Sequence, residues 1–103
     1  MEKNKWFNLP RTQQIGNIGS EIGRAAYWEA QQDVKNKNFA IERALILLEL
    51  TLDDPKWKGG LKEVARMHEI ICSKLVNHSF FEITLKELEN FCLEFVLQNI
   101  SIK

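Results

Sequence analysis

His68 and Cys72 stand four residues apart in Met67-His-Glu-Ile-Ile-Cys72, which puts an imidazole and a thiol on one face of a helix. Such a pair could share a soft divalent metal, since imidazole nitrogen and thiolate sulfur are common zinc ligands. A zinc-protease helix, however, needs a second histidine where this chain has Cys72. Two ligands also fall short of a zinc site, and the other histidine, His78, sits in a turn-like stretch. His68 is therefore read as a partly buried structural residue, with no metal and no cofactor expected.

Ser20 has Glu21 beside it and Arg24 one helical turn away, but no histidine close in sequence to act as its base. The chain has no Gly-x-x-x-x-Gly-Lys loop, and Ile15-Gly-Asn-Ile-Gly19 falls within a helical pattern, unlike a phosphate-binding turn. The Arg-x4-His pattern of small helical ribonucleases is absent too. Five residues after Arg24, Arg43 and Arg66 stand Glu29, Leu48 and Ile71. No catalytic residue is assigned, and the expectation is a protein that is not an enzyme.

What remains is a polar set of candidate binding residues: Asn17, Glu21 and Arg24 on the first long helix, Arg43 on the second and Arg66 on the third. Arg43 shares a face with Leu47 and Leu50, so its guanidinium needs a carboxylate, and Glu21 across the first hairpin is the expected partner. Such a set either fixes helix register as an ion-pair network or contacts a ligand or RNA.

Positioning these residues requires helices, and the apolar spacing predicts four, over about 10–35, 39–53, 61–77 and 85–100. In the first, Ile15, Ile18, Ile22 and Ala25 recur at spacings of three and four beside a small-residue stripe, Gly16, Gly19, Ser20 and Gly23. Each helical glycine costs up to about 1 kcal/mol relative to alanine, so close approach of a neighbouring helix or of a ligand is the expected compensation. The polar run Asp33 to Asn38 should be a turn, with asparagine capping the next helix.

The second helix carries Ile41, Ala44, Leu45, Leu48 and Leu52 on one face, widened by Leu47 and Leu50, and should be central or face an oligomer interface. Pro55 to Lys58 should add a turn before Gly59-Gly60, with Trp57 as an anchor. The third helix is expected to turn Leu61, Val64, Ala65, His68, Ile71, Cys72 and Leu75 inward, and Arg66, Glu69 and Ser73 outward. Phe80, Phe81 and Ile83 could close the end of the core. Thr84-Leu-Lys-Glu87 matches a capping box. The fourth helix should bury Leu88, Phe91, Cys92, Phe95 and Val96, while Leu93, Leu97 and Ile100 extend its apolar surface.

The expected fold is therefore all-α, an up-and-down four-helix bundle forming a single domain over residues 1–103. A three-helix core with a peripheral fourth helix is the alternative. Fourteen basic residues balance 14 acidic ones, so the chain as a whole has no electrostatic pull toward nucleic acid or anionic membrane. Cys72 and Cys92 read as reduced core thiols, and the longest apolar run, Ala44 to Leu48, is far too short to span a bilayer. A cytoplasmic protein without membrane contact is expected.

The stretches Gln14-Ile-Gly-Asn-Ile-Gly-Ser-Glu-Ile-Gly-Arg24, Ala40 to Leu50 and Leu61-Lys-Glu-Val-Ala-Arg66 resemble a family of small prokaryotic all-helical proteins of unassigned activity. More distantly, Asn17 to Gly23 and Phe39 to Leu50 are similar to the helical proteins encoded in ribosomal-RNA intervening sequences and to retroelement accessory variability proteins. That second resemblance implies a four-helix bundle that assembles as a ring-like oligomer and contacts nucleic acid.

The functional expectation is a non-enzymatic helical-bundle protein acting through self-association or a protein partner. The alternative is a nucleic-acid-binding accessory protein using Lys35, Lys37, Arg11 and Arg24 on phosphates. An enzyme would instead require Glu21, Arg24, Arg43 and His68 to converge on one pocket.

Overall fold

Trp6, five residues into the chain, is completely buried, and the reason is a helix that the spacing did not predict. The computed structural model describes residues 2–75 and 83–99. Its first element, α1 (Lys3–Phe7), turns Trp6 into the core, and the indole N–H donates to Thr51 Oγ1 at 2.9 Å. Thr51 in turn donates to the Leu47 carbonyl, so the indole enters the apolar interior with its one polar atom satisfied.

Helix α2 (Arg11–Ala30) starts after Pro10, which occupies the N-cap with extended backbone. It ends five residues sooner than the expected 35, and α3 (Val34–Leu52) starts five residues before the expected 39. The cause lies in Gln32 and Asp33. Gln32 takes the left-handed conformation at φ 60°, where glycine is more usual, and the N–H groups of Gln32 and Asp33 bond back to Glu29 and Trp28. Asp33 then caps α3 by accepting from the Asn36 N–H, which leaves the asparagines expected as turn and cap inside the helix.

Asp54 caps a single 3-10 turn over Pro55–Trp57, and α4 (Leu61–Leu75) follows the Gly59-Gly60 break. The fourth expected helix appears as α5 (Leu85–Asn99). Its capping box is formed: Thr84 Oγ1 accepts from the Glu87 N–H, and the Glu87 carboxylate accepts from the Thr84 N–H. The proposed closure by Phe80 and Phe81 lies outside the described residues.

The structure is all-helical, with no strand among the described residues, and its radius of gyration of 13.4 Å is that of a compact chain of this length. Helix α2 packs against both α3 and α5, and α3 packs against α4. Among the described residues α4 and α5 do not pack closely on each other. Ile15, Ile18, Ile22 and Ala25 are buried as their spacing requires, together with Ile41, Ala44 and Leu48.

Two faces differ from expectation. On α4 the buried side chains are Val64, Met67, Ile70, Ile71 and Ser73, whereas Leu61 is exposed. Ser73 tolerates burial because its hydroxyl donates to the Ile70 carbonyl at 2.6 Å, satisfying the group within its own helix. On α5, Leu85, Leu88 and Cys92 are buried, but Phe91 is half exposed because α4 stands away from that flank.

Candidate functional site

The glycine stripe of α2 sets how closely α5 can approach. A Cβ on Gly19 would lie 2.8 Å from Cys92 Cβ, nearer than carbon atoms pack. One on Gly23 would meet the Glu89 carboxylate, and one on Gly16 would stand an ordinary 3.8 Å from Val96. The expected compensation for these glycines is thus a helix-helix seam, at its tightest over Cys92.

With α5 on one side and α3 on the other, α2 turns its polar residues outward beside α3. There Asn17, Glu21, Arg24 and Arg43 line a cleft of about 380 Å³ with Ser20, Ile46 and Leu47. The expected contact across the hairpin is present: Arg43 Nε donates to Glu21 Oε1 at 3.0 Å. Arg24 Nη1 reaches Glu21 Oε2 at 3.1 Å, so one carboxylate holds two guanidinium groups.

Arg66 does not join them. It lines a separate groove of about 720 Å³ between α4 and α5, whose apolar wall includes Met67, Ile70, Ile83, Leu88 and Phe91. His68 does not join them either. Its Nε2 meets Glu49 Oε2 on α3 at 3.1 Å, and its Nδ1 faces Cys72 Sγ at 3.8 Å. Burial, aided by the negative charge of Glu49, pushes the Cys72 thiol up, and burial beside Glu89 pushes Cys92 up to about 12. Neither is an activated thiolate. Among the described residues no three or more His, Cys, Asp or Glu side chains form a metal cage.

No family model, curated protein or solved structure matches this chain. Its chemistry is therefore read from its own side chains.

Of the lysines and arginines expected to touch phosphates, Lys37 pairs with Glu29 at 3.3 Å. Arg11 lies over the Trp57 ring with its guanidinium carbon 5.3 Å from the centroid, and it donates to the Lys56 carbonyl. Those two groups are used inside the fold.

The largest polar cluster among the described residues was not assigned from sequence. Gln14 is fully buried where α1, α2 and the Pro55 turn meet. Its Nε2 donates to the Trp6 carbonyl and to Asp54 Oδ2, both at 2.8 Å, while its Oε1 accepts from Trp57 Nε1 at 2.7 Å. Asp54 Oδ2 also takes Lys56 Nζ at 2.5 Å, and Lys56 Nζ reaches the Phe7 carbonyl at 2.7 Å. Burial alone would raise the Asp54 pKa. The bonds from Lys56 and Gln14 outweigh it and hold the carboxyl below its ordinary value. Every polar atom is committed to a neighbour, which suits a structural keystone better than a site. The sequence did carry one signal for it: Gln14 occupies the helical stripe that continues through Ile18, Ile22 and Ala25.

Proposed function

We propose that this protein is a non-enzymatic helical module that acts by associating with a second copy of itself through the α4–α5 groove. In this reading α2 to α5 form a four-helix bundle left open on one side, and association closes it. The supporting observation is the groove, whose apolar wall runs along both helices and leaves Phe91 50% exposed. A large half-exposed aromatic beside an apolar groove is surface that association would remove from water.

Charge favours a second copy as the occupant. On the groove α4 presents Lys62 and Arg66 beside Glu63 and Glu69. On the same groove α5 presents Glu87. A two-fold axis would bring the α4 of each copy toward the α5 of the other, making the same favourable contact twice.

The pairing of Glu21 with both arginines, the position of His68 on a different face, and the raised thiol pKa values support a non-enzymatic reading. Two free cysteines suit a reducing compartment such as the cytoplasm. No helix among the described residues is long and apolar enough to cross a membrane.

Mixing isotope-labelled with unlabelled protein tests the contact. Intermolecular cross-peaks between the Phe91 ring and α4 side chains are expected, and cross-peaks confined to other faces would refute the assignment. Capture of a different protein's helix in the groove, with no self-association, would also overturn the choice of occupant.

A further inference from the structure

On the face formed by α2 and α3, we propose a binding site for a small phosphate ester, with the phosphate held between Arg24 and Arg43. This site is separate from the α4–α5 groove and does not depend on self-association.

The geometry begins with Glu21. Its side chain is only 15% exposed, whereas Arg24 and Arg43 are 56% and 49% exposed, so a sunken carboxylate positions two accessible guanidinium groups on one cleft. Glu21 engages Arg43 through Nε, and Arg24 through Nη1. The two terminal nitrogens of Arg43 and the second terminal nitrogen of Arg24 are not engaged by that carboxylate. They form a set of planar N–H donors of the kind that grips phosphate oxygens in pairs. Two cations against one carboxylate also leave the cleft with a positive charge for an anion.

The rest of the cleft narrows the ligand class. Asn17 contributes a side-chain amide, while Ile46 and Leu47 provide an apolar wall. Ser20 is not counted as a phosphate donor, because its hydroxyl already donates to the Gly16 carbonyl at 3.0 Å. Phe39 stands one turn before Arg43, and Tyr27 stands one turn after Arg24. These rings are 46% and 57% exposed and lie outside the cleft lining, with Tyr27 edge-on to Trp28 at 5.0 Å. An exposed aromatic one helical turn from each arginine suits a ligand whose planar group extends past the cleft, and about 380 Å³ lies within the small-molecule range. A nucleoside monophosphate satisfies these requirements and serves as the probe.

Nuclear magnetic resonance titration at low ionic strength, using the full chain, tests the site with four probes. These are a nucleoside monophosphate, its nucleoside, inorganic phosphate, and a short single-stranded oligonucleotide. The monophosphate should bind and shift resonances of Asn17, Arg24 and Arg43, and inorganic phosphate should compete with it. The nucleoside without phosphate should not bind. Arg24→Ala and Arg43→Ala should each weaken binding by about tenfold or more, from loss of charge-assisted hydrogen bonds. Arg43→Lys should fail to restore it, because an ammonium lacks the planar fork.

Melting curves establish that the variants fold. Should either be unfolded, the wild-type shift map decides alone, and shifts confined to another face overturn the site. Absence of monophosphate binding overturns the proposal, as does unchanged affinity in both folded alanine variants. Binding of the oligonucleotide alone would replace the small ligand with a nucleic-acid strand and overturn the assigned ligand class.

Discussion

At the scale of single residues, Gln14 does the most to hold separate parts of the chain together. Replacing it with leucine keeps much of the volume but leaves the Trp57 indole N–H and part of the Asp54 carboxylate without a buried partner. Each buried unsatisfied group costs about 1–3 kcal/mol, so Gln14→Leu should lower the unfolding free energy by roughly 2–4 kcal/mol in urea titration. Asp54 adds a pH dependence whose sign is fixed by its depressed pKa. A carboxylate with a folded pKa below its unfolded value stabilises at pH above the unfolded value and loses that contribution as pH falls through the folded one. Stability should therefore decline as pH drops below the ordinary aspartate value of 3.8, and Asp54→Asn should flatten that part of the profile. The Glu21–Arg43 contact was legible in sequence because an arginine on an apolar flank needs a carboxylate. The Gln14 network was not, because Trp6, Asp54 and Trp57 lie 8, 40 and 43 residues from Gln14, and nothing local links them.

At the scale of helices, the α2–α5 seam makes a graded claim. Gly19→Ala drives a methyl group into Cys92 Cβ, so the helices must separate. Overpacking of this kind costs about 1–3 kcal/mol, enough to cancel or exceed the roughly 1 kcal/mol that alanine gains in a helix. Gly16→Ala finds ordinary contact with Val96 and should be neutral or stabilising. Thermal melts of the two variants should therefore move in opposite directions or differ clearly. At the start of α5, Thr84→Ala removes the oxygen that accepts from the Glu87 N–H and should cost about 1 kcal/mol. The four long helices, the glycine seam and this capping box were readable from periodicity and local spacing, whereas the short α1 was not. The α2–α3 boundary was not, since it depends on Gln32 adopting a left-handed backbone where sequence would favour glycine or asparagine. The exposure of Phe91 depends on how far α4 stands from α5, a distance that helix periodicity does not encode.

At the scale of the whole molecule, four long helices would be expected to enclose one core, yet the packing leaves a groove between α4 and α5. The apolar excess on the fourth helix was visible in sequence, while the groove emerged only once the helices were placed. The proposal that this open side is closed by a second copy makes Phe91 the residue on which association turns. Replacing it with aspartate would put a charge into the contact while removing little from the core. Sedimentation equilibrium over a roughly hundredfold range of concentration tests this most directly, because a self-associating mass rises with concentration by mass action. The wild-type mass should climb toward twice that of the 12.0 kDa chain, while a folded Phe91→Asp variant should remain monomeric. A wild-type mass that stays at 12.0 kDa throughout, or a folded Phe91→Asp variant that associates as strongly as wild type, would contradict it.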